Sequence, residues 1–160
     1  RKDLAYFGEF GTRGVGYNVK QLNQEIMSIL GLTKCWNVIL IGAGNLGSAL
    51  SQYRGFRERG FQIIGVFDND LNKVGLKLNG LPIYAVTQMA DFVEKNDVSI
   101  GIIAVPAEYA QDIADILVET NIRGILNFAP VVLTIPEEVE VRNVDLTVNL
   151  EVLTYNIERR

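Results

Sequence analysis

Apolar positions in this chain follow two rhythms. Between residues 36 and 143, short unbroken apolar runs rich in Val and Ile alternate with stretches where apolar residues recur every third or fourth position. The first rhythm belongs to strands buried on both faces, the second to helices lying on a sheet by one face. Strands are predicted at 37–41, 61–67, 81–84, 98–105, 124–128 and 139–143. Helices are predicted at 45–59, ended by Gly60; at 87–95, capped by Thr87; and from Pro106 to about Glu119. Asp68-Asn69-Asp70 opens a loop and short helix carrying Lys73, and Asn79-Gly80 forms a turn. Strands alternating with helices imply right-handed crossovers and one doubly wound parallel sheet, an α/β fold of the Rossmann type.

The flanks follow other patterns. Residues 19–32 form an amphipathic helix with Val19, Leu22, Ile26, Ile29 and Leu30 on one stripe and Gly31 as its stop. With the polar hinge at Thr33-Lys34, residues 19–35 read as a connector. Residues 144–160 are ambiguous: Val144, Leu146, Val148, Leu150 and Val152 alternate as in a strand, while Leu146, Leu150, Leu153 and Ile157 align on a helix. Periodicity alone leans to strand. Either way, so apolar an element needs a partner surface, which a second subunit can supply. Residues 1–18 read as the end of a helix stopped by Gly8 and Gly11, then a turn-rich ribbon; on composition alone a flexible glycine-rich terminus is the favoured reading.

The chemistry begins where the first strand runs into Gly42-Ala43-Gly44-Asn45-Leu46-Gly47. In this G-x-G-x-x-G, Gly42 permits the tight turn, Gly44 lets a pyrophosphate approach the backbone, and Gly47 lets the next helix pack closely. Asp68 ends the second strand about twenty residues later, where an acid accepts hydrogen bonds from both ribose hydroxyls and repels a 2′-phosphate. NAD(H) is thus favoured over NADP(H); a sheet that binds nothing, or another nucleotide, is the alternative. Ligands of such sheets lie outside the carboxyl ends of the strands. The candidate cofactor contacts are therefore the glycine loop, Asp68, Asn69 and Lys73, and Ala104, Val105 and Pro106. Asn127, Phe128, Ala129 and Pro130 form a weaker fourth loop.

Composition narrows the rest. At 160 residues and 48% hydrophobic, the chain can bury one substantial core but cannot pair a dinucleotide domain with a substrate domain of similar size. No apolar run is long enough to span a bilayer. The single Cys35 excludes an internal disulfide framework, which fits a reducing, cytoplasmic setting. There is no His and no Cys/His cluster to suggest a metal, and no catalytic residue is proposed. Net charge is −4, but residues 1–20 carry +2 and the remainder −6, so only the amino-terminal end offers a polyanion a docking surface. The chain begins with Arg1, so it is expected to start inside a longer protein.

Taken together, RKDLAYFGEFGTRGVGY at 1–17, GAGNLG at 42–47, and NFAP with VRNVDLTV within 127–148 resemble the redox-sensing transcriptional repressors of the Rex family. That resemblance implies a homodimer with a winged-helix DNA-binding domain and a Rossmann domain, which leaves operator DNA when NADH rises relative to NAD⁺. Residues 1–18 are then a remnant of the winged helix, with Lys2, Tyr6 and Arg13 facing DNA. Residues 36–143 become the NAD(H)-binding domain, and 144–160 a helix exchanged between subunits, against the periodicity. Asn143-Val144-Asp145 would lie near the partner's nicotinamide, Asp145 linking cofactor state to the DNA-binding domains. Where some relatives carry Phe after that acid, this chain has Leu146, which lacks the aromatic face. With most of the winged helix missing before Arg1, the piece is expected to bind NADH and dimerise but not to bind operator. A small NAD-dependent oxidoreductase and the nucleotide-sensing domain of a transport protein are the rival readings.

Overall fold

A computed structural model describes residues 18–159. Residues 1–17, with the expected DNA contacts Lys2, Tyr6 and Arg13, lie outside the described residues. Helix α1 (Val19–Ile29) starts where the Asn18 side chain accepts the N–H groups of Lys20 and Gln21. It ends in a Schellman arrangement: Gly31 at φ +68°, with Gly31 N–H donating to Ser28 O and Leu32 N–H to Met27 O. The Trp36 indole N–H donates to Gly31 O at 2.8 Å, tying this corner to the first strand.

The strands are β1 (Trp36–Ile41), β2 (Phe61–Asp68), β3 (Lys77–Leu78), β4 (Leu81–Ala85), β5 (Val98–Ile103), β6 (Gly124–Asn127) and β7 (Glu140–Asn143). They form one sheet in the order β3-β4-β2-β1-β5-β6-β7. Every neighbouring pair is parallel except β3–β4, so the six parallel strands follow the doubly wound order expected of a Rossmann sheet. The central runs are dry: Val38 through Ile41 on β1 and Val66 and Phe67 on β2 are all buried. One core layer packs Ile39, Ile41, Phe67 and Ile103 under Met89 and Val93 and under Ala110, Ile113, Ala114 and Leu117. The opposite layer packs Val38, Leu40, Val66 and Ile102 with Leu50 and Phe56.

Several predicted elements take a different form. The helix expected over 45–59 is two, α2 (Asn45–Ser51) and α3 (Arg54–Glu58), because Tyr53 adopts extended backbone between them. The Tyr53 ring meets Phe56 edge-on at 5.0 Å and lies where only glycine at position 55 leaves room. Thr87 does not cap a helix. A 3₁₀ turn over Val86–Gln88 precedes α4 (Met89–Lys95), and the Gln88 side chain accepts the Ala85 N–H instead. The segment carrying Lys73 is a set of turns closing on Asp70, not a helix.

Pro106 sits just before α5 (Ala107–Glu119) as its N-cap rather than inside it. β3 was not expected; Asn79 and Gly80, both at positive φ, turn it back onto β4. Residues 146–158 form helix α6 (Leu146–Glu158), not the strand that alternation suggested. The reason is local: Asp145 accepts the N–H groups of Thr147 and Val148 and so starts a helix. All of α6 is exposed, including Leu146, Val148, Leu150, Val152, Leu153, Tyr155 and Ile157.

Candidate functional site

The strand order reverses between β1 and β5, and a doubly wound sheet opens a crevice at the carboxyl end of such a switch point. The hydrogen-bond ladder continues past the strand ends there. Gly42 N–H donates to Phe67 O, Ala104 N–H to Ile41 O, and Phe128 N–H to Ile103 O.

Each glycine of the loop meets a different constraint. Gly42 has φ +106°, and a Cβ there would lie 2.5 Å from the Ala104 carbonyl oxygen. A Cβ on Gly47 would overlap the Gly42 carbonyl oxygen, so α2 can approach the loop only with glycine there. Gly44 has nothing within 4 Å of its Cβ position. It is exposed and serves as the N-cap of α2, so no side chain caps the first N–H groups of α2. This is the place where a diphosphate would fit against the backbone.

Asp68 reaches back to the same loop from the end of β2. One carboxylate oxygen accepts the Ala43 N–H at 2.7 Å and the Lys73 ammonium at 3.3 Å; the other accepts the Asp70 N–H at 2.8 Å. Its side chain is 14% exposed. Burial alone would raise its pKa, but the Asp70 and Ala43 N–H bonds and the Lys73 charge together outweigh it and hold the carboxyl below the usual carboxylate range. The group is therefore an anion at neutral pH, and the oxygen that meets Asp70 N–H keeps a site free to accept a ribose hydroxyl. Lys73 lies 3.9 Å from Asp70 as well, so two carboxylates share its charge.

Gly42, Gly44, Asp68, Asn69, Lys73, Ala104, Val105 and Pro106 line one cleft of about 540 Å³. Of the remaining predicted loop residues, Ala43 contributes its N–H to Asp68, Asn45 and Leu46 are exposed at the start of α2, and Gly47 is buried beneath the turn. Sequence reading missed Val86 and Tyr109, which share this cleft and also line an adjoining hollow of about 440 Å³. The available signal was the position of Tyr109, on the first turn of a helix that starts at the carboxyl edge.

The fourth loop behaves differently. Asn127 is fully buried, and its side chain is spent on Ala129, Val131 and Asn143. Ala129 is buried in one core layer, Phe128 packs in the other, and Pro130 is exposed. Asp145 stands at the N-cap of α6, outside the cleft.

Residues 33–131 match the family described as the CoA binding domain. Curated relatives extend the match over the whole chain. The redox-sensing transcriptional repressor Rex of Carboxydothermus hydrogenoformans is 64% identical over 99% of this chain and 76% of its own. Rex of Desulfitobacterium hafniense is 59% identical over all of this chain and 76% of its own. Among solved structures, RSP in complex with β-NAD⁺ and operator DNA superposes with a TM-score of 0.92 at 41% identity, over 99% of this chain and 73% of that one. RSP in complex with β-NADH superposes with a TM-score of 0.85 at 38% identity, over 99% and 74%. A UDP-D-quinovosamine 4-dehydrogenase from Vibrio fischeri, at 22% identity, shares the fold alone. A sheet reversing at the glycine loop, an anionic Asp68 beside it and this identity along the chain lead to one conclusion: the chain belongs to the Rex family of redox-sensing transcriptional repressors.

Proposed function

We propose that this chain senses the ratio of NADH to NAD⁺ at the cleft between β1 and β5, and controls operator DNA binding through a homodimer. The observation that carries the reading is the open backbone cradle at Gly44 beside the anionic Asp68. The first N–H groups of α2 receive the diphosphate, and Asp68 accepts from the ribose hydroxyls while repelling a 2′-phosphate. Val86 and Tyr109 supply apolar surface beside Asn69 for the adenine. The exposed apolar helix α6 is the element exchanged between subunits, which carries Asp145 toward the partner's nicotinamide. Lys2, Tyr6 and Arg13 contact the operator.

Control follows from linkage. The DNA-released arrangement must hold NADH more tightly than the DNA-bound one, or the nucleotide would shift nothing. Fluorescence anisotropy of a labelled operator bound to the dimer tests this directly. NADH is expected to release the DNA at concentrations where NAD⁺ does not; release by neither nucleotide contradicts the proposal. We also propose that the site does not catalyse hydride transfer. The alternative, a small NAD-dependent oxidoreductase, requires NADH oxidation with some member of a panel of carbonyl compounds.

A further inference from the structure

We infer that the Asn127–Asn143 side-chain pair is a positioning device that couples the carboxyl edge of the sheet to the departure of α6. The inference rests on the cofactor reading of that edge, and its test separates the two.

Asn127 is the last residue of β6 and is 0% exposed. Its Oδ1 accepts the Ala129 N–H at 2.9 Å, and its amide nitrogen faces Ala129 O at 3.2 Å, Val131 O at 3.0 Å and Asn143 Oδ1 at 2.9 Å. One buried amide thus gathers the turn after β6 and the end of β7. The backbone repeats the link, since Val144 N–H donates to Asn127 O at 2.8 Å. Two residues beyond Asn143, Asp145 caps α6. On the other side, Phe128 N–H is bonded to Ile103 O, one residue before Ala104 in the wall of the cleft. The path from cleft wall to helix start is therefore short and made of directional bonds, whereas α6 buries no residue against its own chain.

The pair also has an economical weak point. An amide nitrogen has two hydrogens, and Asn127 offers them to three acceptors. Removing the Asn143 side chain still leaves Ala129 O and Val131 O, so no buried donor is orphaned. Asn143 is exposed on an edge strand, and its truncation opens no cavity. Asn143→Ala therefore cuts the side-chain link while leaving the fold intact. Asn143→Asp keeps an acceptor oxygen and restores the link.

Hydrogen exchange along residues 145–158 of the full chain, with and without NADH, reads the coupling, and calorimetry on the same samples reads NADH affinity. In the wild type, NADH is expected to change exchange in α6 by threefold or more. Compared at NADH concentrations that saturate each protein, Asn143→Ala should lose most of that change, and Asn143→Asp should recover it. An α6 response unaltered in Asn143→Ala overturns the inference, as does a wild-type α6 that ignores bound NADH. Absence of NADH binding by the wild type overturns the cofactor reading as well.

Discussion

Asp68 is where structure and proposed function meet in one side chain. Its carboxylate serves the fold through Ala43, Asp70 and Lys73, and the same charge is what a ribose would meet. Asp68→Ala is expected to weaken NADH and NAD⁺ equally, by roughly 10- to 100-fold, the scale of a lost hydrogen bond to a charged acceptor. Calorimetry with both nucleotides checks this. Asp145→Ala should instead leave NADH affinity nearly unchanged and reduce its preference over NAD⁺; an unaltered affinity ratio removes Asp145 from the sensing role. Asp68 also sets an acid limit. Its pKa is lower folded than unfolded, so its contribution is fully present above the ordinary carboxylate range, about pH 4, and fades as pH falls through the lowered value. Melting curves from pH 7 to pH 3 should therefore show the gap between wild type and Asp68→Asn closing at the acid end. At Gly47 the effect is steric. Gly47→Ala drives a methyl group into the Gly42 carbonyl and should cost about 1–3 kcal/mol together with nucleotide binding.

At the scale of elements, α6 gives the sharpest expectation. Its leucines and valines take no part in the core, so Leu150→Asp with Leu153→Asp should leave the thermal stability of the sheet domain unchanged and yield a monomer in sedimentation. The same helix shows where the sequence was legible and where it was not. The buried parallel strands and the glycine loop could be read because apolar runs and turn chemistry agree locally. In α6 they disagree: every second residue from Val144 to Val152 is apolar, yet Asp145 caps a helix. No buried face existed to settle the choice by burial, and the family resemblance tipped an ambiguous pattern to helix. Tyr53 and Thr87 failed for a different reason. Propensity cannot foresee a ring folding over Gly55 or Gln88 reaching Ala85. The 127–130 loop was found for its place at the sheet edge, but pattern alone could not reveal that Asn127 braces the turn.

The whole molecule, on this account, is a balance between two arrangements of a dimer, biased from one end by nucleotide and from the other by DNA. Reciprocity fixes a quantitative expectation: operator must weaken NADH binding by the factor by which NADH weakens operator binding, on the order of 5- to 150-fold for typical coupling energies. The charge distribution agrees with such a division, since residues 1–20 are positive and the remainder is negative. The central claim is that the edge formed by Gly42, Gly44 and Asp68 grips the part common to both dinucleotides, and that the site completed by Asp145 holds the reduced one more tightly than the oxidised one. Separate calorimetric titrations of NADH and NAD⁺ into the wild-type chain test it most directly. The account predicts one saturable site per chain with NADH bound at least tenfold more tightly. Equal affinities, or no heat of binding from NADH, would contradict it.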